Sequence, residues 1–120
     1  MTLTLVHNNL FWASLMFAAA AGVIGIFTYW RRPGMTGTYW GVLATAVVLF
    51  AAQGLVGVLL FIDGLRPDRG IHWLYGVTML LTIPGYYLTS NGRDDRRAVF
   101  IYTLICFFLA GVALRARGTG

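Results

Sequence analysis

Four long runs of apolar residues, each free of charged side chains, limit the folds open to this chain. They cover residues 8–30, 39–62, 71–89 and 98–114 of the 120 residues. An α-helix rises about 1.5 Å per residue, so the first three runs match the ~30 Å hydrocarbon core of a bilayer and the fourth does so marginally. Spanning segments must satisfy their own backbone groups, and these runs lack the alternation of barrel strands. The sequence therefore predicts an all-α integral membrane protein.

The composition agrees with this prediction. Hydrophobic residues make up 58% of the chain and charged residues only 11%, whereas roughly a quarter of a soluble protein is charged. The charged residues lie in short connections and in the C-terminal tail, and short connections make consecutive helices antiparallel neighbours. We predict a single domain, residues 1–120, folded as an up-down four-helix transmembrane bundle. The first run is too long for a signal peptide and is expected to remain as a membrane span.

The charge of +5 comes from nine arginines and four aspartates, with no lysine and no glutamate. Basic residues in short loops suit anionic lipid headgroups, whereas nucleic-acid binding requires a basic face on a folded surface. We therefore expect membrane lipids, other membrane subunits or a second copy as partners, and no nucleic acid. Five arginines lie on the side opposite the termini and four on the termini side. The positive-inside rule then places both termini on the outer face of a prokaryotic-type inner membrane.

The only two histidines, His7 and His72, lie at the entrances of the first and third runs. These two helices run in the same direction in an up-down bundle, so the histidines share a membrane face and a similar depth. Two imidazoles placed in this way can supply both axial ligands of a b-type haem. An ordinary interfacial role for each histidine stays open as the alternative. A zinc site is not expected, because a third ligand is lacking.

Three further residues are candidates for lining a cofactor. Gly76 lies one turn below His72 and would let a flat ligand approach the helix. Gln53 is the one strongly polar side chain inside the second run, and Gly57 follows it one turn later on the same helical face. A glutamine in this setting needs a partner, which could be a ligand, a subunit neighbour or simply another helix.

Two other features predict packing rather than chemistry. Small residues recur along one face of the first helix and predict close contact with another helix: Ser14, Ala18, Gly22 and Gly25. Cys106 is the only cysteine and lies inside the fourth run. We expect it to be a buried structural thiol, since no CxxC pattern accompanies it.

The stretch Gln53-Gly54-Leu55-Val56-Gly57-Val58, followed after a short loop by Ile71-His72-Trp73-Leu74, resembles a segment of the haem A synthase family. In that family a helix with a Gln-x-x-x-Gly pattern leads to a helix that opens on a haem-ligating histidine. The family consists of two similar four-helix bundles, each with a histidine pair, and this chain resembles one half over about twenty motif-like residues. The resemblance matches His72 and His7 to the two ligands of a half.

The chain also departs from that family. Asn8 follows His7 where the family usually has arginine, and Thr4 stands where the family has its catalytic glutamate. The resemblance therefore implies a haem-holding scaffold without the oxidising chemistry, and the sequence favours a protein that is not an enzyme. We expect a bis-histidine haem b protein in electron transfer or haem handling next to a respiratory or photosynthetic complex.

Two other functional classes stay open from the sequence alone. The main alternative is a cofactor-free accessory or structural subunit of a larger membrane complex, whose small-residue faces would pack against other membrane proteins. A transporter is a weaker alternative, because ionisable residues are absent from the interior of all four runs.

Overall fold

The computed structural model of the protein describes residues 2–64 and 71–117, without the side chains of residues 2–4, 71, 72 and 117. The described chain forms four helices: α1 Thr2–Arg31, α2 Gly37–Ile62, α3 Ile71–Thr89 and α4 Arg96–Arg117. No strand occurs within these described ranges. The predicted all-α class and the number of helices are thus confirmed.

The predicted bounds hold closely for α2 and α3 but not for the outer helices. α1 begins at Thr2 rather than at residue 8, because no glycine or proline precedes Asn8 and Asn9 and these two polar side chains are simply exposed on the helix surface. His7 therefore lies inside α1, and its predicted position at the helix entrance was wrong. α4 runs from Arg96 to Arg117 rather than over residues 98–114, since arginine is itself a good helix former.

Helix ends follow ordinary capping chemistry. Thr36 caps α2 and accepts a hydrogen bond from the backbone N–H of Tyr39 at 3.1 Å. Asp95 does the same for α4, where its Oδ1 accepts from the N–H of Ala98 at 3.0 Å. α3 ends where Asn91 and Gly92 take positive φ angles of 56° and 71°, the left-handed conformation that commonly ends helices.

The four helices form an up-down bundle. The α1–α2 pair is antiparallel, since residue 25 near the end of α1 lies against Tyr39 near the start of α2. Contacts between Trp40 and Tyr87 and between Tyr86 and Tyr102 give the same result for α2–α3 and α3–α4. α1 and α4 close the ring, while α1 and α3 lie diagonally to each other within the described residues, as do α2 and α4. The described ends of the chain therefore share one end of the bundle.

The small-residue face of α1 packs against α4 and α2, as the sequence predicts. Ser14 and Ala18 are each 1% exposed. A Cβ added at Gly22 would lie 2.7 Å from the ring of Phe107, and one added at Gly25 would overlap Thr103 and Tyr39. This close approach of backbones is how membrane helices gain contact without a hydrophobic driving force. Cys106 is buried in the same core, also as predicted.

The two loops at the opposite end are joined to each other. The N–H of Met35 donates to the carbonyl oxygen of Asp94 at 2.8 Å, beside an isolated bridge between Gly34 and Asp95. Gly34 is required here, because a Cβ at this position would overlap the Asp94 carbonyl. The α1–α2 connection is therefore hydrogen-bonded to the residues that directly precede α4.

Within the described residues, three helices are long and apolar enough to cross a membrane: Leu5–Arg31, Gly37–Ile62 and Arg96–Ala116. α4 is longer than the marginal fourth run of the sequence analysis and has the length to span. The 19 residues of α3 include threonines, tyrosines and Pro84. α3 nevertheless packs between α2 and α4, and it continues through Pro84 as one helix.

Candidate cofactor site at the termini end

His7 packs against the second half of α2. Its ring is half-buried, and a Cβ added at Gly57 would lie 3.5 Å from His7 Cε1. That distance is an ordinary van der Waals contact, so the imidazole of His7 lies beside the α2 backbone at Gly57. A larger residue at position 57 would therefore press on the imidazole.

Gln53 connects the same two helices through a hydrogen bond. Its Nε2 donates to the backbone carbonyl oxygen of His7 at 2.9 Å. Its other polar atom, Oε1, is buried and has no hydrogen-bond partner among the described residues. His7, Gln53 and Gly57 therefore lie together, and one acceptor in this group is available to a further donor. Such a buried, unsatisfied oxygen calls for an explanation.

The α3 side of the predicted site is described only in part. His72 is the second residue of α3, but its side chain lies outside the described residues. The convergence of the two imidazoles on one point therefore stays a prediction. Gly76 is exposed, and a Cβ added there would meet nothing within 4 Å.

The register of α3 can nevertheless be established. Met79 and Ile83 are buried, and position 72 precedes Met79 by two helical turns on the same face. Trp73 contacts Phe61 in the last turn of α2, at a ring distance of 5.2 Å. Position 72 is therefore beside the last turns of α2, the part of that helix against which His7 packs.

Packing at this end of the bundle is looser than at the other. The buried residues of α2 are Tyr39, Leu43, Ala46 and Phe50, and none lies beyond residue 50 of a helix that ends at Ile62. Among the described side chains of α3, none before Met79 is buried. The second half of α2 and the first half of α3 thus add little to the protein core, whereas α1 and α4 still bury Phe11 and Ala113 at this end.

Two buried polar groups were not predicted from the sequence as candidate functional groups. The hydroxyls of Ser14 and Tyr102 are buried and have no hydrogen-bond partner among the described residues. Ser14 was considered only as a small residue that packs against a helix. Its Oγ is buried and makes no hydrogen bond to the helix backbone. Tyr102 is the fifth residue of the fourth apolar run, and a phenol inside that run was the available signal.

The donor set at the termini end can be compared with what a metal or haem requires. No group of three or more histidine, cysteine, aspartate or glutamate side chains comes together in the described part of the chain. A cage of protein ligands is therefore not formed there. A haem needs only one or two axial ligands, and the half-buried imidazole of His7 beside a glycine fits that requirement. Comparison of the chain with protein-family models, with curated proteins and with solved structures gives no match.

Proposed function

We propose that this protein is a membrane-embedded four-helix bundle that binds one b-type haem at its termini end, with His7 and His72 as axial ligands. The observation that carries the proposal is the position of His7, which contacts Gly57 while Gln53 bonds its backbone. This constellation lies at the loosely packed end of the bundle. The earlier resemblance to one half of the haem A synthase family supports the same assignment.

Each residue has a distinct role in this proposal. His7 and His72 would each supply an imidazole nitrogen to the iron, and their helices stand diagonally across the bundle, which would place the haem between them. Gln53 is a positioning residue, because it fixes the backbone of α1 at His7. Gly57 and Gly76 keep side chains away from the ring. The haem would supply one-electron transfer, which suits electron transfer or haem handling beside a respiratory or photosynthetic complex.

The membrane setting is part of the proposal. In the part of the chain that the structure describes, three helices have the length and apolarity to span a bilayer, and α3 would cross with them because it packs between α2 and α4. The greater number of arginines on the loop side supports an orientation with both termini, and hence the haem, at the outer face of an inner membrane.

A second candidate function is a cofactor-free accessory subunit. It is favoured by the large apolar side chains that the second half of α2 and the first half of α3 expose, among them Leu55 at 62%, Ile62 at 74% and Leu74 at 59%. A partner membrane protein could cover them, as could lipid. On this alternative His7 and His72 are interfacial polar residues and Gln53 only joins two helices.

An optical spectrum of the purified protein, produced with adequate haem supply, distinguishes the two functions. We expect about one haem per chain, with the low-spin Soret and α-bands of bis-histidine ligation. His7→Ala and His72→Ala should each abolish the low-spin signature. Added imidazole should restore it in His7→Ala, because the small ligand can occupy the space left by the side chain.

The matched control is Cys106→Ser, which changes a buried side chain away from the proposed iron site and should keep the spectrum. Circular dichroism shows whether each variant stays helical, so that a lost spectrum is not mistaken for a lost fold. A helical, well-folded wild-type protein that takes up no haem would reject the haem assignment in favour of the accessory subunit.

A further inference from the structure

A groove runs between α2 and α3 at the loop end of the bundle, opposite the proposed haem site. It has a volume of about 430 Å³. Side chains from three helices line it: Trp40, Leu43, Ala44, Val47, Ile83, Pro84, Tyr87, Leu88 and Tyr102. Ala44 and Leu88 are exposed on its rim, so a molecule in the surrounding bilayer can enter from the side.

Tyr102 forms the α4 side of this groove and carries the polar group that needs explaining. The residue is 0% exposed, and its hydroxyl has no hydrogen-bond partner among the described residues. Edge contacts with Tyr86 at 4.9 Å and with Trp40 at 5.7 Å hold its ring in place. A buried hydroxyl without a partner costs free energy, and an acceptor on a molecule in the groove would remove that cost.

The position of the groove along the helices indicates what could occupy it. Trp40 is in the first turn of α2 and Tyr87 in the last turn of α3, and aromatic side chains at helix ends lie at headgroup depth. From Trp40 to Val47 the groove extends roughly 10 Å towards the bilayer centre. Its outer end is thus at the depth of lipid ester groups, and its inner end is lined by aliphatic side chains.

The charges around the outer end of the groove favour a lipid with an anionic headgroup. The two loops there, with the adjoining helix ends, carry five arginines against two aspartates: Arg31, Arg32, Arg93, Arg96 and Arg97 against Asp94 and Asp95. Arg93 is paired with Asp95, and Arg96 donates to the carbonyl oxygen of Tyr29. This surplus of positive charge complements an anionic headgroup.

We infer that the α2–α3 groove is a binding site for an anionic phospholipid. An acyl chain lies along the aliphatic wall, an ester carbonyl oxygen accepts a hydrogen bond from the Tyr102 hydroxyl, and the headgroup lies among the loop arginines. The site rests on the proposed membrane setting, but it is separate from the proposed haem site and does not depend on haem binding.

The test measures lipid retention by native mass spectrometry after reconstitution into vesicles of phosphatidylcholine and phosphatidylglycerol at 3:1. The wild type should retain one phosphatidylglycerol in preference to phosphatidylcholine. Tyr102→Phe removes only the hydroxyl and should weaken retention about five- to tenfold, the usual effect of one hydrogen bond. Ala44→Trp should fill the groove and abolish retention.

The control is Val48→Trp, one turn further along α2 at a residue that is 66% exposed and outside the groove. It adds the same side chain and should retain lipid like the wild type. Equal retention by Ala44→Trp and wild type would overturn the site, as would equal retention of the two lipids. Displacement of phosphatidylglycerol by decylubiquinone would instead identify the groove as a quinone site and overturn the lipid assignment.

Discussion

Gly25 of α1 lies so close to Tyr39 of α2 that a Cβ at position 25 would overlap the Tyr39 hydroxyl, and it would overlap the Thr103 hydroxyl of α4 as well. Three helices thus meet at one glycine. Tyr39 is 0% exposed and Thr103 6% exposed, so neither side chain has room to move away. The absence of a side chain at position 25 sets how closely the three helices approach at this level of the bundle.

Gly25→Ala should therefore destabilise the bundle by about 1–3 kcal/mol, the usual cost of overpacking. The matched control is Gly41→Ala on α2, where an added Cβ meets nothing within 4 Å. Thermal unfolding in detergent should show a lowered Tm for Gly25→Ala only. Equal Tm values for the two variants would contradict the tight three-helix contact.

Gly22→Ala should cost less than Gly25→Ala, although it lies on the same face. The added Cβ would lie 2.7 Å from the outer ring atoms of Phe107. Phe107 is 40% exposed, so its ring can turn outwards. The larger substitution Gly22→Leu exceeds the space that this turn provides and should cost roughly 1–3 kcal/mol. The same unfolding series tests this order, and a larger loss for Gly22→Ala than for Gly25→Ala would contradict it.

The hydrogen bond from Gln53 to the His7 carbonyl can be tested by replacing the donor, either with a side chain that cannot hydrogen-bond or with one that donates only when protonated. Gln53→Leu removes the donor and should cost about 0.5–1.5 kcal/mol. Gln53→Glu places a group that donates to the carbonyl only when it is protonated. Ionisation puts a carboxylate against a carbonyl oxygen, so the stability of this variant should fall as the pH rises through the pKa of the new side chain.

Unfolding of Gln53→Glu and wild type between pH 4 and pH 9 measures this dependence. Gln53→Leu is the control, since it lacks any titratable group at this position and should show the pH dependence of the wild type. A Gln53→Glu variant that follows the wild type throughout would show that the bond contributes nothing to joining α1 and α2.

The helices and the packing face of α1 were predictable from sequence because each rests on a local pattern. Apolar runs bounded by Pro, Gly and Asp define the helices, and the four-residue spacing of Ser14, Ala18 and Gly22 marks a contact face. The start of α1 was not predictable in this way, because Asn8 and Asn9 interrupt the apolar run without breaking the helix. Hydropathy measures polarity, whereas helix ends depend on capping and on helix-breaking residues.

Less of the candidate cofactor site than of the fold was predictable from the sequence. The Gln53-x-x-x-Gly57 spacing correctly placed these two residues on one face, but nothing local indicated that they would meet His7. Contacts of that kind depend on the register between helices, which no single helix encodes. The unsatisfied hydroxyl of Tyr102 shows the same limit, because a side chain's partners are known only once its neighbours are in place.

Ser14→Ala should leave the stability of the haem-free protein unchanged or raise it slightly. The Ser14 hydroxyl is buried without a hydrogen-bond partner among the described residues, so its removal loses no bond and relieves a desolvation cost. Thr103→Val is the contrasting variant, because the Thr103 hydroxyl donates to the Val99 carbonyl oxygen at 2.8 Å. We expect a loss of about 0.5–1.5 kcal/mol for Thr103→Val. A comparable loss for Ser14→Ala would reveal a bond partner of its hydroxyl.

The acid stability of the loop end should depend on Asp95. The N–H of Ala98 and, secondly, the guanidinium of Arg93 hydrogen-bond this carboxylate and lower its pKa below the ordinary value of 3.8. A lowered pKa stabilises the folded state above the unfolded pKa, and this stabilisation is lost as the pH falls through the folded pKa. The wild type should therefore lose stability on acidification below about pH 4.

Asp95→Asn keeps a good helix-capping side chain but cannot ionise, so it should flatten this acid-dependent part of the unfolding profile. Asp94→Asn is the control, because Asp94 lies one residue before the cap. Tm values between pH 7 and pH 2.5 provide the measurement. Arg93→Gln should flatten the profile less than Asp95→Asn, since the arginine is the smaller cause and its ion pair is exposed on both sides. An acid profile of Asp95→Asn that coincides with that of the wild type would show that the α4 cap does not respond to pH.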